Sequence, residues 1–105
     1  MAQFDIFPNT DDESATVIPY VIDVQSDFLD QLSTCLVIPL AISEALDLLP
    51  ILRLNPTLTI EGRRLVALTQ DMAPVPRRLL RRPIANLSSQ REEILAAIDF
   101  LFTGF

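Results

Sequence analysis

The chain contains no histidine, no lysine and no tryptophan, and only one cysteine and two glycines among its 105 residues. Without histidine, the commonest general acid–base side chain is missing, and neither a Cys/His zinc site nor a Cys–His nucleophile pair can be built. Cys35 has no second cysteine to bridge, so an intramolecular disulfide is excluded and the residue reads as a small buried hydrophobe. Gly62 and Gly104 are too few for a phosphate-binding glycine loop or a dinucleotide fingerprint. No apolar run is long enough to span a membrane, and the acidic start lacks the positive charge that opens a secretory signal. The expectation is a cytoplasmic protein with no membrane partner. A length near 100 suits a single domain, residues 1–105, with one modest core.

What is present is unevenly charged. Residues 1–52 hold nine acids (Asp5, Asp11, Asp12, Glu13, Asp23, Asp27, Asp30, Glu44, Asp47) and no base, a charge of −9. Residues 53–105 hold eight arginines against five acids, a charge of +3. Such a division suits complementary surfaces within the fold, across a dimer or towards a basic partner, as well as plain solvation. Arg77, Arg78, Arg81 and Arg82 form the one dense basic run, and their spacing puts four guanidinium groups along one side of a short helical turn. Pro76 and Pro83 fence that turn, and no aromatic side chains are interleaved for base stacking. Partner carboxylates or solvent therefore fit it better than nucleic acid.

Periodicity predicts a mainly β chain with one terminal helix. Residues 3–7 alternate, with Phe4 and Ile6 inward; residues 17–24 are β-branched, with Pro19 near the strand's start. Asp23, Gln25, Ser26 and Asp27 close that strand in a turn. Residues 35–38 make a central strand halted by Pro39, and residues 41–49 a short helix or irregular crossover. Residues 57–61 and 65–69 form a hairpin about Gly62. Residues 71–76, broken by Pro74 and Pro76, are expected to be a non-regular connector. Ile94, Leu95, Ile98, Leu101 and Phe102 recur at helical spacing, predicting a helix over 89–102 with Ser88 or Ser89 as its cap and Glu92 completing a capping box. Short strands joined by proline-rich turns, then one helix, argue for a small barrel or sandwich.

Few residues can carry chemistry. Asp23, Asp27 and Asp30 are the nearest carboxylate cluster and Asp11, Asp12 and Glu13 the next, but neither has a metal-ligand pattern, so no metal, cofactor or catalytic residue is expected. A protein acting by contact is the economical reading. Phe100, Leu101, Phe102 and Phe105 crowd the chain end around Gly104, either to pack on their own barrel or to form a dimer seam and recognition patch.

Four separated strings give this reading a family. Tyr20-Val21-Ile22-Asp23-Val24-Gln25-Ser26-Asp27, Val37-Ile38-Pro39-Leu40-Ala41, Thr69-Gln70-Asp71-Met72-Ala73-Pro74-Val75-Pro76 and Leu101-Phe102-Thr103-Gly104-Phe105 occur in an order that resembles the CcdB family of bacterial toxin–antitoxin toxins. The resemblance runs over residues 3–105. It implies an SH3-like β-barrel with a C-terminal α-helix, a homodimer, and a non-enzymatic toxin that poisons the A subunit of DNA gyrase. It also implies a partly disordered antitoxin that neutralises the toxin and supplies the only contact with DNA, so that the complex represses its own operon. The family's target contact is a terminal tryptophan–glycine–isoleucine; Thr103, Gly104 and Phe105 stand there, which keeps the glycine and drops the tryptophan. Leu101, Phe102, Thr103, Gly104 and Phe105 are thus the expected target-binding residues, and Ile98, Leu101, Phe102 and Gly104 the expected dimer contacts. Antitoxin is expected at Asn9, Thr10, Asp11, Asp12, Glu13, Ser14, Ser43 and Glu44, whose acidity calls for a basic disordered tail. The alternatives are a homologue that binds antitoxin without poisoning gyrase, and a ribonuclease toxin on the same barrel.

Overall fold

The computed structural model describes residues 1–45 and 50–104. Seven antiparallel strands form one sheet: β1 (Asp5–Pro8), β2 (Tyr20–Asp23), β3 (Thr34–Ile42), β4 (Thr57–Ile60), β5 (Arg63–Ala67), β6 (Ala73–Pro76) and β7 (Ala85–Asn86). The helix α1 (Arg91–Thr103) follows. The strand order is β4-β5-β3-β2-β1-β7, and β6 also pairs with β3. The nearly closed, barrel-like sheet with one C-terminal helix is the architecture expected from the sequence.

The nine-residue β3 is the hub. One edge lies along β2, with Ile38 opposite Ile22 and Leu40 opposite Tyr20. The other edge serves β6 over its first half, with Cys35 opposite Val75, and β5 over its last residues, with Ala41 opposite Val66. One face carries the main core, where Phe4, Ile6, Ile22, Ile38, Leu40, Leu58, Ile60 and Leu65 meet Ile94 of α1. Phe7, Cys35, Val37 and Leu80 form a smaller cluster, so β1 is buried on both faces rather than through Phe4 and Ile6 alone.

Proline accounts for two differences from expectation. β3 does not stop at Pro39 but runs on to Ile42. The Pro39 carbonyl accepts the Leu68 N–H at 2.9 Å. Its nitrogen must face the same edge, at the gap where β6 has ended and β5 has yet to begin, so no ladder donor is missed. Residues 73–76 are likewise a strand, not an irregular connector. Pro74 and Pro76 sit opposite Leu36 and Thr34, two apart, so both missing donors fall on the side away from β3. An edge strand tolerates that arrangement and gains protection from further strand pairing.

The hairpin closes as expected, through Glu61 (φ +52°) and Gly62 (φ +79°) between the paired Ile60 and Arg63. Positive φ at both positions is the two-residue turn whose twist matches the strands. Of residues 41–49, the first two belong to β3 and Ser43–Ala45 is one 3-10 turn, while 46–49 lie outside the described residues. α1 starts two residues later than predicted, behind a 3-10 turn at Ser88–Gln90, and no serine caps it. Asn86 takes that part: its Oδ1 accepts the Ser88 N–H at 2.9 Å, turning the chain before the helix.

Candidate functional site

The end of α1 is built to project. Ile94 and Ala97 are its buried residues, and Leu95 and Ile98 pack against the core. Beyond them burial falls away: Leu101 is half-buried and Phe102 is 72% exposed. Phe100 carries the Arg53 guanidinium 4.9 Å above its ring, a cation–π contact that ties the helix to the loop before β4. Thr103 Oγ1 donates to the Asp99 carbonyl at 2.7 Å, and the Gly104 N–H donates to the Phe100 carbonyl at 2.9 Å. Gly104 sits at φ +77°, the left-handed C-cap that glycine adopts without penalty. Leu101, Phe102, Thr103 and Gly104 are thus brought together at one tip; Phe105 lies outside the described residues.

The acidic loop at 9–14 holds itself in shape. Asn9 Nδ2 donates to Ser14 Oγ at 2.9 Å and to the Ile18 carbonyl at 2.8 Å, while Ser14 Oγ donates to Asp11 Oδ2 at 2.9 Å. Thr10, Asp11, Asp12 and Glu13 are exposed on this frame, as are Ser43 and Glu44 at the end of β3.

The four arginines do not share one face. Only Arg77–Leu79 forms a helical turn, and Arg77 is used internally. Its Nε donates to the Leu32 carbonyl at 2.8 Å and its terminal nitrogen to the carbonyls of Leu29 and Thr34 at 3.2 and 3.4 Å. Arg78, Arg81 and Arg82 instead line a cleft of about 470 Å³ with Pro8, Thr10 and Leu79.

Among the described residues, the loop that Arg77 holds carries the most exposed aromatic side chain, Phe28, at 97%, with Leu29 and Leu32 about half exposed beside it in sequence. Sequence reasoning placed a turn at residues 23–27 and assigned nothing to residues 28–32. The signal was present in the apolar pair Phe28-Leu29 set among Asp27 and Asp30, since a turn that needs no burial seldom carries an aromatic.

Two of the three clustered carboxylates, Asp23 and Asp27, bond the fold itself. Asp27 Oδ1 accepts the Gln3 N–H at 2.8 Å, and Asp23 Oδ1 accepts the Gln25 N–H at 2.9 Å and the Cys35 thiol at 3.1 Å. Burial raises the Asp23 carboxyl above its ordinary range against the opposing pull of those bonds. Burial, with Asp23 adjacent, pushes the Cys35 thiol up to about 12. A thiol so held is protonated at neutral pH and is not a nucleophile. Among the described residues no group of three or more potential metal-ligating side chains gathers. No helix there is long and apolar enough to cross a membrane.

A barrel whose projecting features are an apolar helix tip, an exposed aromatic loop, an acidic loop and an arginine-lined cleft offers surfaces suited to contact with other macromolecules. Residues 3–104 match the family model described as CcdB protein. The chain belongs to the CcdB family, whose members are the toxins of toxin–antitoxin modules and act as protein-binding poisons.

Proposed function

We propose that this chain is the toxin of a type II toxin–antitoxin module that poisons DNA gyrase by binding its A subunit, and that a cognate antitoxin neutralises it. The observation that carries the reading is the projecting end of α1, where Leu101, Phe102, Thr103 and Gly104 offer apolar surface on a fixed C-cap. An exposed phenylalanine on a rigid terminus is the kind of anchor that dominates an interface. Thr103 supplies no flat ring where the family carries tryptophan, and the truncation of such an anchor costs about 2 kcal/mol or more, over tenfold in affinity. Phe102 and Phe105 are the aromatic groups left to make that contact.

In this reading Ile98, Leu101, Phe102 and Gly104 also contribute to a homodimer seam, and the exposed acids of residues 9–14 with Ser43 and Glu44 receive a basic stretch of the antitoxin. The antitoxin then supplies the DNA contact through which the complex represses its operon. A gyrase cleavage assay with purified protein tests the central claim. Stabilised double-strand breaks are the expected result. Their absence at saturating protein rejects gyrase poisoning and leaves the two alternatives, antitoxin binding without gyrase activity and a ribonuclease toxin on the same barrel.

A further inference from the structure

The cleft beside the acidic loop has the opposite sign from its surroundings. Arg78 and Arg81–Arg82 stand around Pro8, Thr10 and Leu79. None of the three has an acidic partner among the described residues; the one bond there is Arg81 Nε to the Arg78 carbonyl, at 3.2 Å. The same groove continues as a narrow apolar slot past Pro8 and Leu79 to Val21, Val75 and Leu80. Guanidinium groups around an apolar floor match a ligand that carries both carboxylates and aliphatic side chains.

We propose that this cleft is a docking groove for an acidic, amphipathic polypeptide segment. An aliphatic side chain of that segment enters the slot over Leu79 and Leu80, and neighbouring carboxylates pair with Arg78, Arg81 and Arg82. The occupant is polypeptide rather than nucleic acid for two reasons on the molecule itself. Thr10 on the cleft wall leads directly into Asp11, Asp12 and Glu13, which repel a continuous polyanion but not a peptide whose sign changes along its length. The floor is aliphatic, with no aromatic platform on which a base can stack. The assignment of the segment to an antitoxin rests on the proposed function; the groove's chemistry does not. It adds to that function a partner that is acidic where it meets the arginines as well as basic where it meets the loop.

Fluorescence anisotropy at low salt tests the groove with three labelled probes: a dodecapeptide of paired leucines and glutamates, the same peptide with glutamines for glutamates, and a single-stranded oligonucleotide of equal length. The full-length protein is expected to bind the glutamate peptide at least about tenfold more tightly than either other probe, three exposed ion pairs summing to roughly that factor. The combined variant Arg78→Gln, Arg81→Gln, Arg82→Gln is expected to erase the preference while keeping its circular dichroism. Leu79→Asp, which keeps all three arginines but spoils the floor, is expected to weaken the glutamate peptide as well. Equal binding of the two peptides, a preference that survives the triple variant, or tighter binding of the oligonucleotide overturns the proposal. Since no gyrase is present, failure in the cleavage assay leaves this result unaffected, and the reverse holds too.

Discussion

Gly104→Ala separates what the tip of α1 needs from its backbone and what it needs from empty space. Gly104 is at φ +77°, and nothing lies within 4 Å of a Cβ built there. The folded chain therefore has room for the methyl group, and the cost is conformational alone, about 1 kcal/mol for an L-residue in the left-handed region. That is a factor of about five in the population of the C-cap, confined to the last turn, so the thermal midpoint should move by only a few degrees. If the target is bound through the C-cap as it stands, affinity for the gyrase A subunit should fall by the same factor of about five. Gly104→Asn carries a Cβ as well, but asparagine tolerates this conformation better and should fall by less. Dissociation constants from biolayer interferometry on the three proteins make the comparison. Alanine binding as tightly as glycine would refute the conformational requirement. Alanine and asparagine both losing far more than fivefold would refute it in the other direction, by showing that the target's backbone needs the space itself.

Three further predictions concern the barrel. Glu61→Asn puts a residue suited to φ +52° at the first position of the β4–β5 turn and should raise stability by about 0.5–1 kcal/mol in urea unfolding; no change would mean that the turn relaxes in solution. Asp23→Asn should remove a pH dependence. Because the Asp23 carboxyl is raised in the fold, the unfolded chain holds fewer protons as pH climbs from the ordinary 3.8 towards the folded value, so the native protein loses stability through that window and stays lower above it. The asparagine oxygen can keep the bonds from Gln25 and Cys35 that Oδ1 makes alone, so the variant should gain on the native chain as pH rises through the window. Parallel stability curves would reject the burial argument. Cys35 should resist iodoacetamide at neutral pH until the chain unfolds, and labelling faster than unfolding would contradict a thiol pushed up to about 12.

Much of this fold was legible because local and long-range signals agree. Alternation in β4, the Gly62 turn and the apolar spacing of α1 each depend on a few neighbouring residues, and they were read correctly. The prolines misled because their effect depends on which edge of a strand is paired. Pro39 is harmless only at the gap between β6 and β5, and Pro74 with Pro76 only on an edge, which the residues around them do not disclose. The arginine run shows the same limit at the candidate site. Spacing alone put four guanidinium groups together, but Arg77 is drawn off by the carbonyls of a loop more than forty residues earlier in the chain. The helix tip was open in the sequence, where crowded apolar side chains suited packing on the barrel as well as recognition, and only the fold shows that Phe102 stays 72% exposed.

The split in charge acquires a physical sense from what the charges touch. Carboxylates of Asp5, Asp11, Asp23 and Asp27 accept backbone N–H groups, whereas Arg77 and Arg81 donate to carbonyls and Arg53 lies over a ring. Among the described residues these acids and arginines thus bond backbone groups or a ring rather than one another, and two fields of opposite sign survive at the surface, one on residues 11–13 and the other around Arg78, Arg81 and Arg82. A purely basic partner drawn to the loop would meet repulsion at the cleft beside it. A purely acidic one would be turned away by the loop. Only a segment that carries both signs in succession satisfies both surfaces at once, so reversing the sign of either one should impair association with such a partner even where the other surface is untouched.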